Sequence, residues 1–130
     1  MPLSPATRKN IFNKLKTALK KQSPPMVVSK NTADTYEVMG NKLVPYGSKK
    51  TIVPGMYFSS TVARKDMVSF YFLPAYFDRK ELMRIAPTVM KYLKGKSCFH
   101  FKKEEQVVEK ELDALLKKGV AIWKKQGYVK

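Results

Sequence analysis

Residues 56–73 read MYFSSTVARKDMVSFYFL, and this stretch decides the fold. Two runs rich in aromatic and β-branched residues, 56–63 and 67–73, lie on either side of the short polar segment 64–66. Such runs, separated by a few polar residues, predict a β-hairpin. Pro74 follows directly and predicts the end of the second strand. We therefore expect an antiparallel sheet at the centre of the chain.

Two further segments have the pattern of short strands. Residues 35–39 (TYEVM) and residues 97–102 (SCFHFK) alternate polar and apolar side chains. Residues 26–31 fit either an extended strand or a loop, and their pattern does not distinguish the two. A loop is predicted between the first of these strands and the hairpin, in the segment that contains Pro45, Gly47 and Pro54.

Three segments have the apolar spacing of amphipathic helices. The first, residues 5–22, follows an N-capping serine and contains no acidic residue. The second begins behind Asp78 and runs to about residue 93, and Pro87 predicts a kink or a split within it. The third covers about residues 104–126. The predicted order is α-β-β-β-α-β-α, an α+β fold in which helices cover an antiparallel sheet.

Size and composition predict one folded domain over residues 1–130. The chain is 44% hydrophobic and 12% aromatic, which is typical of a folded protein of this length. The single cysteine, Cys98, excludes an intrachain disulfide, and residues 1–10 lack the apolar segment of a signal peptide. The longest nearly apolar run, residues 67–77, is shorter than the roughly 20 residues of a membrane span. These features predict a cytoplasmic protein without a membrane segment.

The net charge of +16 favours acidic partners such as nucleic acid or an anionic membrane surface. Only four of the 26 basic residues are arginine, the side chain that leads in contacts to phosphates and bases. The basic residues are also spread over every segment of the chain. A plain, solvated, lysine-rich surface is therefore the competing interpretation of the charge.

Alternation along the strands sorts their side chains onto two faces of the sheet. An apolar set is expected under the helices and comprises Phe58, Val62, Val68, Phe70, Phe72, Phe99 and Phe101. The other set carries hydroxyl, thiol and imidazole groups beside aromatic rings, and comprises Tyr57, Ser59, Thr61, Ser69, Tyr71, Cys98 and His100. This composition suits a surface that a ligand or another subunit covers in part. Closure by a helix or loop of the same chain is the alternative.

The chain lacks the residue patterns of catalytic and metal sites. Cys98 and His100 share a face, but side chains two apart on a strand stand about 7 Å from each other, which is loose for proton transfer. One histidine and one cysteine do not supply the four ligands of a structural zinc site. The motifs of phosphate loops, dinucleotide folds, serine hydrolases and zinc proteases are missing. We expect no enzymatic activity, no metal and no cofactor.

Several stretches together resemble a known family. They are TYEVMGNK at residues 35–42, GMYF at 55–58, VSFYF at 68–72, LKGKSCFHFKK at 93–103, and a terminal helix whose end covers 119–128. The chain resembles the YdhG-like family of bacterial domains of unknown function, from its first helix to its last. The resemblance rests on element order and on patterns of glycine, aromatic residues and lysine. It implies a compact α/β fold, a cytoplasmic bacterial setting and no established catalytic residues.

Some members of that family are named iron chaperones because their fold resembles frataxins. Frataxin-like iron binding relies on an acidic ridge. The first acidic residue of this chain is Asp34, and the first predicted helix contains none. Iron handling is thus an alternative function that the sequence disfavours.

The sequence favours a non-enzymatic binding or interaction domain. Its predicted ligand or interface residues are Tyr57, Ser69, Tyr71, Cys98 and His100. The expected partner is a small ligand or another protein, and a second copy of the chain is one of the candidates. Nucleic-acid binding is the alternative, because aromatic rings on a sheet flanked by basic residues can stack single-stranded bases. The basic residues predicted for that role are Lys42, Lys49, Lys50, Arg64 and Lys65.

Overall fold

The structure is a computed structural model that describes residues 2–46 and 48–130. Within them the α-helices are Pro5–Lys20 (α1), Arg79–Ile85 (α2), Pro87–Met90 (α3) and Glu109–Gln126 (α4). The strands are Val27–Asn31 (β1), Thr35–Met39 (β2), Val44–Tyr46 (β3), Thr51–Val53 (β4), Tyr57–Ala63 (β5), Val68–Phe72 (β6), Leu93–Lys94 (β7) and Cys98–Phe101 (β8). Two short 3-10 helices cover Leu73–Tyr76 and Glu104–Gln106.

Six strands form one sheet in the order β1-β2-β5-β6-β8-β7, and every neighbouring pair is antiparallel. Strands β3 and β4 form a separate two-stranded sheet. The prediction of an α+β fold with helices on an antiparallel sheet is therefore confirmed, with more strands than expected. None of the helices in residues 2–46 and 48–130 combines the length and the hydropathy that crossing a membrane requires.

The helices α1 and α4 lie against the same face of the sheet, which we call the inner face. The Lys16 ammonium group of α1 stands over the Tyr36 ring at 5.4 Å, and the Trp123 ring of α4 meets Phe58 at 5.7 Å. At Gly119 the helix comes so close to the sheet that a Cβ atom would lie 2.5 Å from the Phe72 ring. Helices α2 and α3 pack against α4. Burial of this apolar surface is the main stabilising contribution.

The two predicted helix starts have the expected caps. The Ser4 side chain accepts a hydrogen bond from the Thr7 N–H at 3.1 Å, and the Asp78 side chain accepts one from the Glu81 N–H at 3.4 Å. These bonds satisfy main-chain donors that have no partner inside the helix. The first helix ends at Lys20, two residues earlier than predicted.

A β-bulge changes the phase of β5. Met39 pairs with Tyr57 while Val38 pairs with Ser59, so Phe58 is an extra residue opposite β2. A bulge of this kind interrupts the strict alternation of side chains. Phe58 and Ser59 are consequently both buried, although alternation assigns them to opposite faces.

The bulge corrects the predicted positions of Ser59, Thr61 and Val62. Ser59 and Thr61 pair with phenylalanines of β6 and are fully buried, so they belong to the inner face instead of the polar one. Their hydroxyls donate to main-chain carbonyls of β6 at 2.6 and 3.2 Å, which satisfies them in the core. Val62 pairs with Ser69 and lies on the polar face. The prediction was wrong for these three residues because alternation was carried across the bulge.

Strands also form where the sequence predicted a loop or was ambiguous. Within residues 26–31, β1 pairs with β2 at the edge of the sheet, with all five of its residues exposed. The predicted loop between β2 and β5 contains the β3–β4 hairpin. Gly47, on which the loop prediction rests in part, lies outside the described residues, as does Met1. The strand β1 is held by main-chain hydrogen bonds to β2 and buries none of its side chains. Its sequence therefore lacks the alternation of polar and apolar residues by which a strand is predicted.

The predicted helix of residues 79–93 is split at Pro87, as its proline suggests. Ala86 leaves helical geometry at φ −137°, because proline excludes the helical conformation at the residue before it. The Glu111 carboxylate of α4 accepts hydrogen bonds from the main-chain N–H groups of Thr88 and Val89 at 2.7 and 3.0 Å. This contact caps α3 from another helix. Leu93, predicted at the end of this helix, lies instead in the strand β7, Leu93–Lys94.

The last helix begins at Glu109 instead of Glu104. Residues 104–106 form a 3-10 turn in which the Gln106 side chain accepts hydrogen bonds from the N–H groups of Lys102 and Lys103 at 2.7 and 3.1 Å. The turn redirects the chain from the end of β8 to the start of α4.

Candidate functional site

The face of the sheet opposite the helices brings together the residues predicted for binding. Ser69 pairs with His100, and Tyr71 pairs with Cys98, so these four side chains share one side of β6 and β8. The Tyr57 hydroxyl lies 2.5 Å from the Ser60 hydroxyl on the same side of β5. We call this surface the open face and define it by Tyr57, Ser60, Val62, Ser69, Tyr71, Cys98 and His100.

The open face has no helical cover among the described residues, since α1 and α4 lie on the inner face and the shorter helices pack on α4. Tyr57, Tyr71, Cys98 and His100 are each half-buried. Ser69 is 1% exposed although it lies on this face, because the side chain of Arg64 lies above it. Of the alternative that a helix or loop of the same chain closes over this face, the part that concerns the described helices does not hold.

Arg64 organises the polar groups of the open face. Its Nε donates to the Ser69 hydroxyl at 2.9 Å, and its Nη2 donates to the Tyr71 hydroxyl at 2.7 Å. Because a guanidinium group is planar and always charged, two such bonds hold it in one orientation. The face therefore carries a positioned positive charge between two hydroxyl groups.

The ionisable groups of the open face are held in their neutral forms. Burial raises the pKa of the Tyr57 phenol well above its usual value, with a smaller opposing contribution from its hydrogen bond to Ser60. Burial also raises the pKa of the Cys98 thiol. At neutral pH both groups are protonated, so they act as hydrogen-bonding groups and not as anions.

His100 is also held in its neutral form. Burial lowers the pKa of its imidazole, and the positive charges of Lys94, Lys102 and Arg64 lower it further. A neutral imidazole ring can form hydrogen bonds and stack on other rings. The His100 ring lies close to three positively charged side chains. Lys94 reaches this site because β7 pairs it with Cys98 across the sheet.

Reasoning from sequence missed Ser60 and Val62, because of the bulge, and also Lys94 and Lys102. The predicted helix ends at about residue 93, and only the pairing of β7 with β8 brings Lys94 to the open face. For Lys102 a signal was available, because it follows His100 by two residues at the end of β8. Strand alternation alone would have placed it beside this face.

The five basic residues predicted for nucleic-acid contact come from three separate elements of the fold. Arg64 lies on the open face, and Lys65 follows it in the β5–β6 turn. Lys42 lies in the loop after β2, and Lys49 and Lys50 lie in the turn of the separate β3–β4 hairpin. The structure therefore brings two of the five to the same end of the main sheet.

No arrangement of metal ligands occurs in the described part of the chain: no three histidine, cysteine, aspartate or glutamate side chains are grouped to share an ion. Cys98 and His100 lie on the same face, and the Cys98 thiol donates a hydrogen bond to the Phe99 carbonyl at 3.9 Å. The groups of the open face offer hydrogen bonding, aromatic contact and attraction of negative charge.

Comparison with protein-family models, with curated proteins and with solved structures gave no significant match.

Proposed function

We propose that the chain is a non-enzymatic binding domain and that the open face is its binding surface. The observation that carries the proposal is the one-sided arrangement of the described helices, which leaves a Tyr/Ser/Cys/His face without helical cover. Faces with aromatic and hydroxyl groups of this kind are typical of surfaces that a partner covers in part.

The state of the polar groups supports binding over catalysis. A nucleophilic cysteine needs a lowered thiol pKa, whereas burial raises the pKa of Cys98. The hydroxyls of Ser69 and Tyr71 are engaged by Arg64, which fixes their direction before any partner arrives. Such preorganisation lowers the entropy that association costs.

The charge around the face favours an anionic partner. The positive charges of Lys94, Lys102 and Arg64 all lower the pKa of His100. The carboxylate of Glu37, in β2, accepts a hydrogen bond from the Ser29 hydroxyl at 2.8 Å. A second copy docked face to face would bring these cations together in a protein of net charge +16. An anionic ligand therefore fits this surface better than a homodimer.

We also propose that the chain is related to the YdhG-like family and that it is a cytoplasmic protein. Both proposals rest on the residue patterns of the chain and on its single Cys98, and the α+β architecture is in keeping with them.

The proposal is tested by NMR titration of the 15N-labelled protein with inorganic phosphate, a nucleoside monophosphate and a short acidic peptide. We expect amide shifts on β5, β6 and β8 with at least one of these probes, and weaker binding in Tyr71→Ala. Tyr76→Ala is the matched control, because Tyr76 is 57% exposed in a 3-10 helix away from the open face. Shifts confined to other surfaces, or equal affinity of Tyr71→Ala and the parent chain, would contradict the proposal.

A further inference from the structure

A groove of about 700 Å³ lies between α1 and the turns that join β1 to β2 and β5 to β6. Its basic side chains come from two separate parts of the chain: Arg8, Lys9 and Lys16 from α1, and Arg64 and Lys65 from the β5–β6 turn. The groove also contains one acidic residue, Asp34. Five basic residues and one acidic residue therefore line the groove.

This positive charge is not neutralised by ion pairs. The salt bridges found among residues 2–46 and 48–130 are Lys21–Asp113 and Arg84–Glu81, and neither involves the groove. The Asp34 carboxylate is occupied by the hydroxyls of Thr32 and Thr35 at 3.0 and 3.2 Å. A concave surface lined by charges of one sign concentrates the field and attracts counter-ions.

The groove is continuous with the open face through Arg64. Arg64 is a lining residue of the groove, and its guanidinium group donates hydrogen bonds to Ser69 and Tyr71 on the open face. Two of the four arginines of the chain, Arg8 and Arg64, lie in this groove, although lysine dominates the rest of the basic surface. Arginine is the side chain best suited to the forked contacts that phosphates accept.

We propose that the groove binds the phosphodiester backbone of a single-stranded nucleic acid, whose bases extend from Arg64 onto the open face. The rings of Tyr71 and His100 are half-buried there and are available for stacking. The inference rests on the proposed function, since it names the anionic partner of the same face.

The shape of the groove favours this partner over other polyanions. A planar anionic membrane cannot enter a concave site between a helix and two turns, whereas a flexible chain of phosphates can. The volume is that of a site for small molecules, which suits a few linked nucleotides better than a duplex. Bases paired in a duplex would also be unable to stack on Tyr71 or His100.

The experiment is fluorescence anisotropy of a labelled oligothymidylate of about 12 nucleotides, titrated with the full chain at several salt concentrations. The groove variant is Arg8→Gln/Lys9→Gln/Lys16→Gln. Its control, Lys110→Gln/Lys117→Gln/Lys124→Gln, removes the same charge from exposed positions of α4 outside the groove. Circular dichroism of each variant checks that it is folded.

We expect the groove variant to lose at least about tenfold more affinity than the control near physiological salt. Loss of three phosphate contacts should also reduce the slope of log K against log salt by about 2. Equal losses in the two triple variants would overturn the groove assignment, because the effect would then follow net charge alone. Equal competition by a duplex or by anionic vesicles would overturn the choice of a single strand.

A face variant separates this inference from the proposed function. Tyr71→Ala should weaken oligonucleotide binding without changing the salt slope, because it removes stacking and no charge. If the oligonucleotide does not bind while small anions still shift the amides of β5, β6 and β8, the inference fails and the proposed function stands. If the groove variant weakens binding and Tyr71→Ala does not, the groove carries the binding and the role of the open face is wrong.

Discussion

The inner and open faces of β6 and β8 are built from alternate residues of the same strands, yet one face is apolar and the other is polar. Phe70 is fully buried and packs with Phe72, Phe99 and Phe101. Its neighbour Tyr71 is half-buried and accepts a hydrogen bond from Arg64. One face supplies the apolar burial that stabilises the fold, while the other presents polar groups in a fixed arrangement. Substitutions on the two faces should therefore separate folding from binding.

The sharpest test of this comparison lies in β5, where the bulge reverses the faces that alternation predicts. Thr61→Lys should destabilise the fold by about 4 kcal/mol or more, since it places an unpaired charge in a fully buried position. Val62→Lys should cost about 1 kcal/mol or less, because Val62 lies half-buried on the open face. Urea unfolding of both variants decides between them. The reverse order of stability would mean that β5 has no bulge.

The next largest effect compares consecutive residues of β6. Phe70→Ala should lower the free energy of unfolding by about 3–5 kcal/mol, because it leaves a cavity among three aromatic rings. Tyr71→Ala should cost clearly less, since part of its ring is in contact with solvent and its lost partner, Arg64, is exposed. Denaturant unfolding of the two variants measures the difference. Equal losses would show that the open face contributes to stability as much as the inner face does.

The smallest effect concerns the pH dependence of His100. Because its pKa is lower in the folded chain than the usual value near 6.5, the folded state binds fewer protons than the unfolded state. The stability that the neutral ring contributes is fully present above about pH 6.5 and decreases as the pH falls below it. His100→Gln should therefore lose less thermal stability than the parent chain between pH 7.5 and about 5. Parallel melting curves across that range would contradict the lowered pKa.

The central hairpin and the open-face positions of β6 and β8 were accessible from the sequence. The aromatic and β-branched runs of residues 56–63 and 67–73 specify strands locally, and their period of two places Ser69 with Tyr71 and Cys98 with His100. The N-caps Ser4 and Asp78 act within a few residues of themselves and could be identified for the same reason.

The remaining elements depend on partners that are distant in the sequence. The strand β1 forms because the edge of β2 is free to pair, although all its residues are exposed. The α3 helix receives its cap from Glu111 in α4. The phase of β5 is set by its register with β2. None of these partners can be read from a local pattern.

By itself the sequence determined the α+β class, the central strands and the alternation that collects Tyr71 and His100 on one side, because these properties follow from neighbouring residues. Only the tertiary structure decided which side the helices cover, where the bulge lies and that Arg8 of α1 and Arg64 line one groove. The physical reason is that periodicity is a property of consecutive residues. Burial and charge concentration, in contrast, are properties of surfaces that form only when distant segments meet.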